Sequence, residues 1–137
     1  MFDFKKSLSG NIMQLENKSA AAGTYKVGMA LTFSGGKLTA AKGNDVVHYI
    51  CAQNAKLEEA GDVSAYPVTS DMVFSVKLTA FSADTVMAGE RVQISADGMA
   101  VTATAATEAS KAGAFIVDAQ GASAADNIIE VRLDYYN

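Results

Sequence analysis

The chain has no tryptophan, a single proline (Pro67), a single histidine (His48) and a single cysteine (Cys51) among 137 residues. One cysteine excludes an internal disulfide and is compatible with assembly in a reducing cytoplasm. No long uncharged apolar run is present, so no transmembrane helix is expected. Met1–Gln14 carries Lys5 and Lys6 without the apolar core of a secretory signal. Lysine and arginine number 11 against 15 aspartates and glutamates, a formal net charge of −4 that argues against phosphate-driven nucleic-acid binding. Neither a membrane nor a nucleic acid is an expected partner.

Alternating apolar residues dominate what is present. Val92, Ile94 and Ala96 alternate with Arg91, Gln93 and Ser95, and after Asp97-Gly98 the residues Met99, Val101 and Ala103 alternate with Ala100, Thr102 and Thr104. Period two places each set on one face of a strand. With Asp97-Gly98 as a two-residue type I′ turn, Ile94 faces Val101, and Val92, Ile94, Met99 and Val101 share a buried face. A second hairpin runs from Tyr25 to Ala40. Its Gly35-Gly36 turn opposes Phe33 to Leu38, Thr32 to Thr39 and Leu31 to Ala40.

Asp45–Ala52 is apolar on both faces around VVHYIC, as expected of a strand covered from two sides, by the core and by another layer or subunit. Val47, His48 and Tyr49 are therefore candidates for an oligomer interface. Ala55–Gly61 reads as one helical turn or a loop, Glu58–Tyr66 as irregular, and Pro67 as the start of the strand Met72–Phe81. Ala105–Gly113 is a loop or short helix, Phe115–Val117 a strand centre and Gly121–Asn127 a turn-rich connection. Ile129, Val131, Leu133 and Tyr135 mark a terminal strand.

The expected fold is all-β: one compact antiparallel β-barrel or sandwich of about seven short strands with an extended N-terminal arm. The arm spans residues 1–22 and the β domain 23–137. Phe2, Phe4, Leu8, Ile12, Met13 and Leu15 fit neither period, and Asn17–Gly23 resembles a linker. Two readings follow. Either this segment packs on its own domain, or it is an arm that orders on a neighbour. On the second reading Phe2, Phe4, Lys5, Lys6, Ile12, Met13 and Leu15 are candidates for contact with a neighbouring protein or another subunit.

No catalytic constellation is evident. His48 and Cys51, three apart in a strand, face opposite sides and cannot chelate together, so His48 reads as structural and Cys51 as a small buried hydrophobe. Glu58-Glu59 reads as a solvated turn with no calcium-loop spacing, and Ser34-Gly35-Gly36-Lys37 is too short for a P-loop. Neither a metal nor a cofactor is expected, and the chain is not expected to be an enzyme.

The order of segments resembles a known family. A glycine-led strand (Ala88–Ile94), the Asp-Gly turn, a threonine- and alanine-rich strand, Gly113–Ala119, a Gly-Ala-Ser loop and Ile128–Leu133 look like the small decoration, or cement, proteins of tailed-phage heads. The Tyr25–Ala40 hairpin fits the first strands of that pattern. The resemblance implies a virion component on the outer capsid surface, assembled in the host cytoplasm. It also implies a homotrimer that binds the major capsid protein and stabilises the head. The alternatives are a head-fibre base or tail component, or a small β-barrel binding module. Against the last, the Asp97-Gly98 tip lacks a carrier domain's lysine, and a sugar module would usually offer tryptophan.

Overall fold

A computed structural model describes residues 1–10, 13–81, 89–103, 115–117 and 128–133. Ile12, Ala105–Gly113, Gly121–Asn127 and Tyr135 lie outside the described residues. The protein is all-β, and among the described residues there is no helix. The strands are β1 (Asp3–Ser7), β2 (Glu16–Ala20), β3 (Gly23–Tyr25), β4 (Ala30–Ser34), β5 (Lys37–Ala40), β6 (Tyr49–Cys51), β7 (Ala55–Leu57), β8 (Gly61–Pro67), β9 (Met72–Phe81), β10 (Arg91–Ile94), β11 (Val101–Ala103), β12 (Phe115–Val117) and β13 (Ile128–Leu133). Among the described residues that is thirteen strands rather than about seven. The excess comes from short strands such as β3 and β7, too brief to show a period.

Five strands close a barrel in the order β2-β5-β4-β6-β8. Each sends alternate residues inward, and Ala20, Leu31, Leu38, Cys51, Val63 and Ala65 fill the interior. The Tyr25 hydroxyl closes this end, lying 2.7 Å and 3.0 Å from the carbonyl oxygens of Ala21 and Leu38. The β4–β5 hairpin has the expected register, with Phe33 opposite Leu38 and Leu31 opposite Ala40. Gly35 and Gly36 have φ of 59° and 79°, the positive values a type I′ turn demands.

The remaining long strands close a second ring. β9 pairs with β13, β13 with β12, β12 with β10, β10 with β11, and β11 returns to β9. Its inward residues are Phe74, Val76, Leu78, Val92, Ile94, Val101, Phe115, Val117, Ile129, Val131 and Leu133, members of one cluster. Rings of this size are narrow enough for side chains alone to fill. The expected antiparallel arrangement needs correction at two pairings. β2 lies parallel to β5, and β11 parallel to β9.

The two-faced apolar run around His48 now has an explanation. Cys51 points into the first barrel, whereas Val47 and Ile50 point into the cluster shared with the second ring. Val47, Ile50 and Cys51 are covered within one chain, whereas Val46 is exposed and His48 and Tyr49 are half-buried, and only Tyr49–Cys51 is a strand. Val47 is fully buried and cannot form a subunit interface. Its apolar character marks a seam between the rings.

The segment 1–22 is integrated into the domain, as the first of the two readings has it. β1 pairs with β9, and β2 is a wall of the first barrel, so the arm and the linker at Asn17–Gly23 are both corrected. Phe2 is buried and stacks on Phe115 at 5.0 Å between centroids, with Phe74 edge-on at 6.4 Å. Phe4 and Met13 pack against the same cluster. The pattern escaped a period-two reading because β1 carries a bulge between Phe4 and Lys6.

The hairpin β10–β11 keeps the expected register, Ile94 opposite Val101. Its turn is different. Gly98 N–H donates to the Ser95 carbonyl at 3.0 Å, so Ala96 and Asp97 occupy the centre and Gly98, with φ of 72°, follows. Val92, Ile94 and Val101 are buried in the second ring, but Met99 leaves that face and packs against the first barrel's interior. Ala55–Leu57 is a strand paired with β3, and β8 replaces the irregular stretch, with Pro67 ending it rather than starting β9.

Candidate interaction surfaces

Among the described residues, no group of three or more His, Cys, Asp or Glu could hold a metal ion. Cys51 is buried, its thiol donates to the Gln53 carbonyl at 3.0 Å, and burial pushes its pKa up. His48 Nδ1 accepts the Phe33 N–H at 3.0 Å, which places the neutral ring's proton on Nε2. It stitches β4 to the chain before β6. What remains is surface.

The most organised surface is one end of the first barrel. Glu16 and Lys18 of β2, Phe33 of β4 and Tyr49 of β6 share the inward side of their strands with the buried residues, yet they are partly or fully exposed. Phe33 and Tyr49 meet edge-to-face at 6.1 Å. The Lys18 ammonium lies 5.9 Å from the Phe33 centroid and 5.6 Å from that of Tyr49. Tyr49 donates to Glu16 at 3.1 Å, and Lys18 pairs with Glu16 at 3.3 Å. Hydrogen bonding to Tyr49, then to Glu16, raises the Lys18 pKa. Cation–π and ion-pair contacts at an exposed site are worth little individually, so this set orders the rim more than it stabilises the fold. Tyr49 and His48, candidates for an oligomer interface, are half-buried, and Tyr49 lies at this rim. Glu16, Lys18 and Phe33 were not expected there.

A second surface surrounds β1. Lys5 and Lys6 are exposed, Leu15 is 67 % exposed, and Phe2 is 1 % exposed, so the candidates from this segment divide. Lys5, Lys6 and Leu15 are accessible, Phe4 and Met13 half-buried, and Phe2 belongs to the core. The segment is pinned by Asp71, whose carboxylate accepts the hydroxyls of Ser7 at 2.8 Å and of Ser9 and Thr69. Those hydroxyls, Ser9 first, hold the Asp71 carboxyl well below the usual carboxylate range.

These features define a protein of two linked five-stranded rings with accessible rims. The fold is similar to that of the head fiber gp8.5 N base of bacteriophage phi29, in its crystal structure. The TM-score is 0.55 at 14 % sequence identity, over 88 % of this chain and 95 % of that one. No family model matches the chain, and no curated protein matches it.

Proposed function

We propose that this chain is a non-enzymatic structural protein of a phage virion, mounted on the outer surface of the head. The observation that carries the reading is the fold it shares, over 88 % of its length, with a head-fibre base. That likeness favours the role of a fibre base. The segment order from Ala88 to Leu133, which resembles cement proteins, supports a second role as a decoration protein that stabilises the head. In both, a rigid β body offers complementary surfaces to the major capsid protein, and weak contacts repeated over a lattice give avidity.

On this reading Leu15, with the half-buried Met13, faces the capsid, while Lys5, Lys6, His48 and Tyr49 remain for capsid or subunit contact. The proposed assembly is a homotrimer in the virion. Co-sedimentation with undecorated heads tests the reading, and saturable binding supports it. A monomer that ignores heads and retains a small metabolite would favour the binding-module alternative instead. The two virion roles separate in the same experiment. A cement protein makes the saturated head resist thermal disruption, because a ligand of the assembled state alone stabilises that state. A fibre base leaves head stability unchanged.

A further inference from the structure

The tip of the β10–β11 hairpin carries a chemically reactive step. Asp97-Gly98 is the one Asp-Gly pair in the chain, and Asn-Gly does not occur. A glycine after aspartate has no Cβ to shield the peptide nitrogen and a backbone free to turn. The nitrogen lone pair can then attack the carboxyl carbon of the aspartate. An N–Cγ bond forms, the Cγ–OH bond breaks, and the hydroxyl leaves as water with the amide proton. The resulting succinimide takes a water back. Opening at Cγ restores aspartate, whereas opening at the main-chain carbonyl gives isoaspartate, with one extra carbon in the backbone.

Three observations at this tip oppose the closure. The Asp97 carboxylate accepts the Ser95 hydroxyl at 2.5 Å and the Met99 N–H at 3.0 Å. Those bonds, Ser95 first, hold its pKa below the usual carboxylate range, and an ionised carboxylate has no hydroxyl to lose as water. The Gly98 N–H is donated to the Ser95 carbonyl at 3.0 Å. Gly98 is also buried, with its carbonyl accepting the Ala30 N–H at 2.8 Å, so the peptide resists the swing that would bring nitrogen onto the carboxyl carbon. Ser95 serves two of the three restraints, and its hydroxyl is oriented by the Ala100 N–H, which it accepts at 3.0 Å. Asp97 itself is exposed, so the water that reopens the ring is at hand.

We infer that Asp97–Gly98 is this chain's site of spontaneous isoaspartate formation, and that the Ser95 hydroxyl holds the reaction back while the tip stays docked on the first barrel. Modification and docking are coupled. The extra backbone carbon carries the Gly98 carbonyl off the Ala30 N–H, so a modified copy has lost part of the joint between its two rings. The inference is independent of the proposed virion role.

Incubation of the full chain for weeks at neutral pH, folded and in concentrated urea, tests it. Isoaspartate is located by peptide mapping and quantified with a protein isoaspartyl methyltransferase. In urea it should appear first at Asp97, and in the folded chain it should form there at least an order of magnitude more slowly. Folded S95A should accumulate it several-fold faster than the native chain, while S95T, which keeps the hydroxyl, stays slow. Where S95A fails to fold, S95C replaces it, because a thiol keeps the volume but donates only weakly. The modified fraction, once separated, should melt below the unmodified one. Equal rates in the folded chain and in urea overturn the inference. So does a folded S95A or S95C no faster than the native chain, or a first modification elsewhere than Asp97. A modified fraction that melts like the native protein overturns the coupling to docking.

Discussion

Gly98→Ala tests how the two rings are joined. The tip of the β10–β11 hairpin belongs to the second ring but docks on the first. The Gly98 carbonyl accepts the Ala30 N–H at 2.8 Å, and Met99 packs against the barrel interior. A Cβ at position 98 would lie 3.1 Å from Met29 Cγ and 3.2 Å from the carbonyl oxygens of Ala30 and Ala41. Two of those three atoms are backbone and cannot swing aside. The residue also has φ of 72°, which costs an alanine about 1–2 kcal/mol. Separating the tip from β4 adds the loss of a buried hydrogen bond, about 1 kcal/mol, and of Met99 packing. The sum is about 2–4 kcal/mol, at the upper end of ordinary point mutations. Gly35→Ala is the control. Its φ is 59° but nothing lies within 4 Å, so it should lose only the conformational part, about 1–2 kcal/mol. Urea unfolding of both variants, with midpoints compared at constant slope, gives the difference. Equal losses would refute the docking of the tip.

Further consequences concern the core and the N-terminal strands. Phe2→Ala should cost about 3–5 kcal/mol, because Phe2 fills the space over Phe115 and Phe74. Deleting residues 2–18 removes β1 and most of β2 and should abolish the cooperative melt. A truncated chain that melts normally would show that these strands are dispensable. Ile94→Ala should cost about 2–5 kcal/mol by chemical denaturation, since Ile94 is 2 % exposed. Asp71 is held below its unfolded pKa, so the unfolded chain binds its proton more readily. Its contribution is complete above about pH 5 and is lost as pH falls below about 4. Asp71→Asn should therefore flatten the fall in melting temperature on acidification, and an unchanged acid profile would remove Asp71 from the account.

The sequence displayed its hairpins more openly than its closures. Leu31, Phe33, Leu38 and the paired glycines fix the β4–β5 register through a local turn, and β9 is visible from end to end in its alternation. The rings are joined by contacts between residues far apart in the chain, and periodicity carries no information about those. Val47 and Ile50 advertise an apolar face without saying whether a subunit or the same chain covers it. Phe2 and Phe4 were hidden by the bulge at Lys5, which breaks the period after the strand has barely begun. In the run around VVHYIC Tyr49 and His48 were legible as interface candidates. Lys18 and Glu16 were not, because an alternating Glu-Asn-Lys-Ser run reads as solvated chain until its strand closes a barrel.

Electron microscopy of phage heads incubated with the purified chain addresses the virion role most directly. The account predicts added density at repeated positions on the outer surface of the shell, each fitted by the two-ring body. The end bearing Leu15 and Met13 should face the capsid. Heads that stay bare at saturating protein, while the protein itself remains folded, would contradict it.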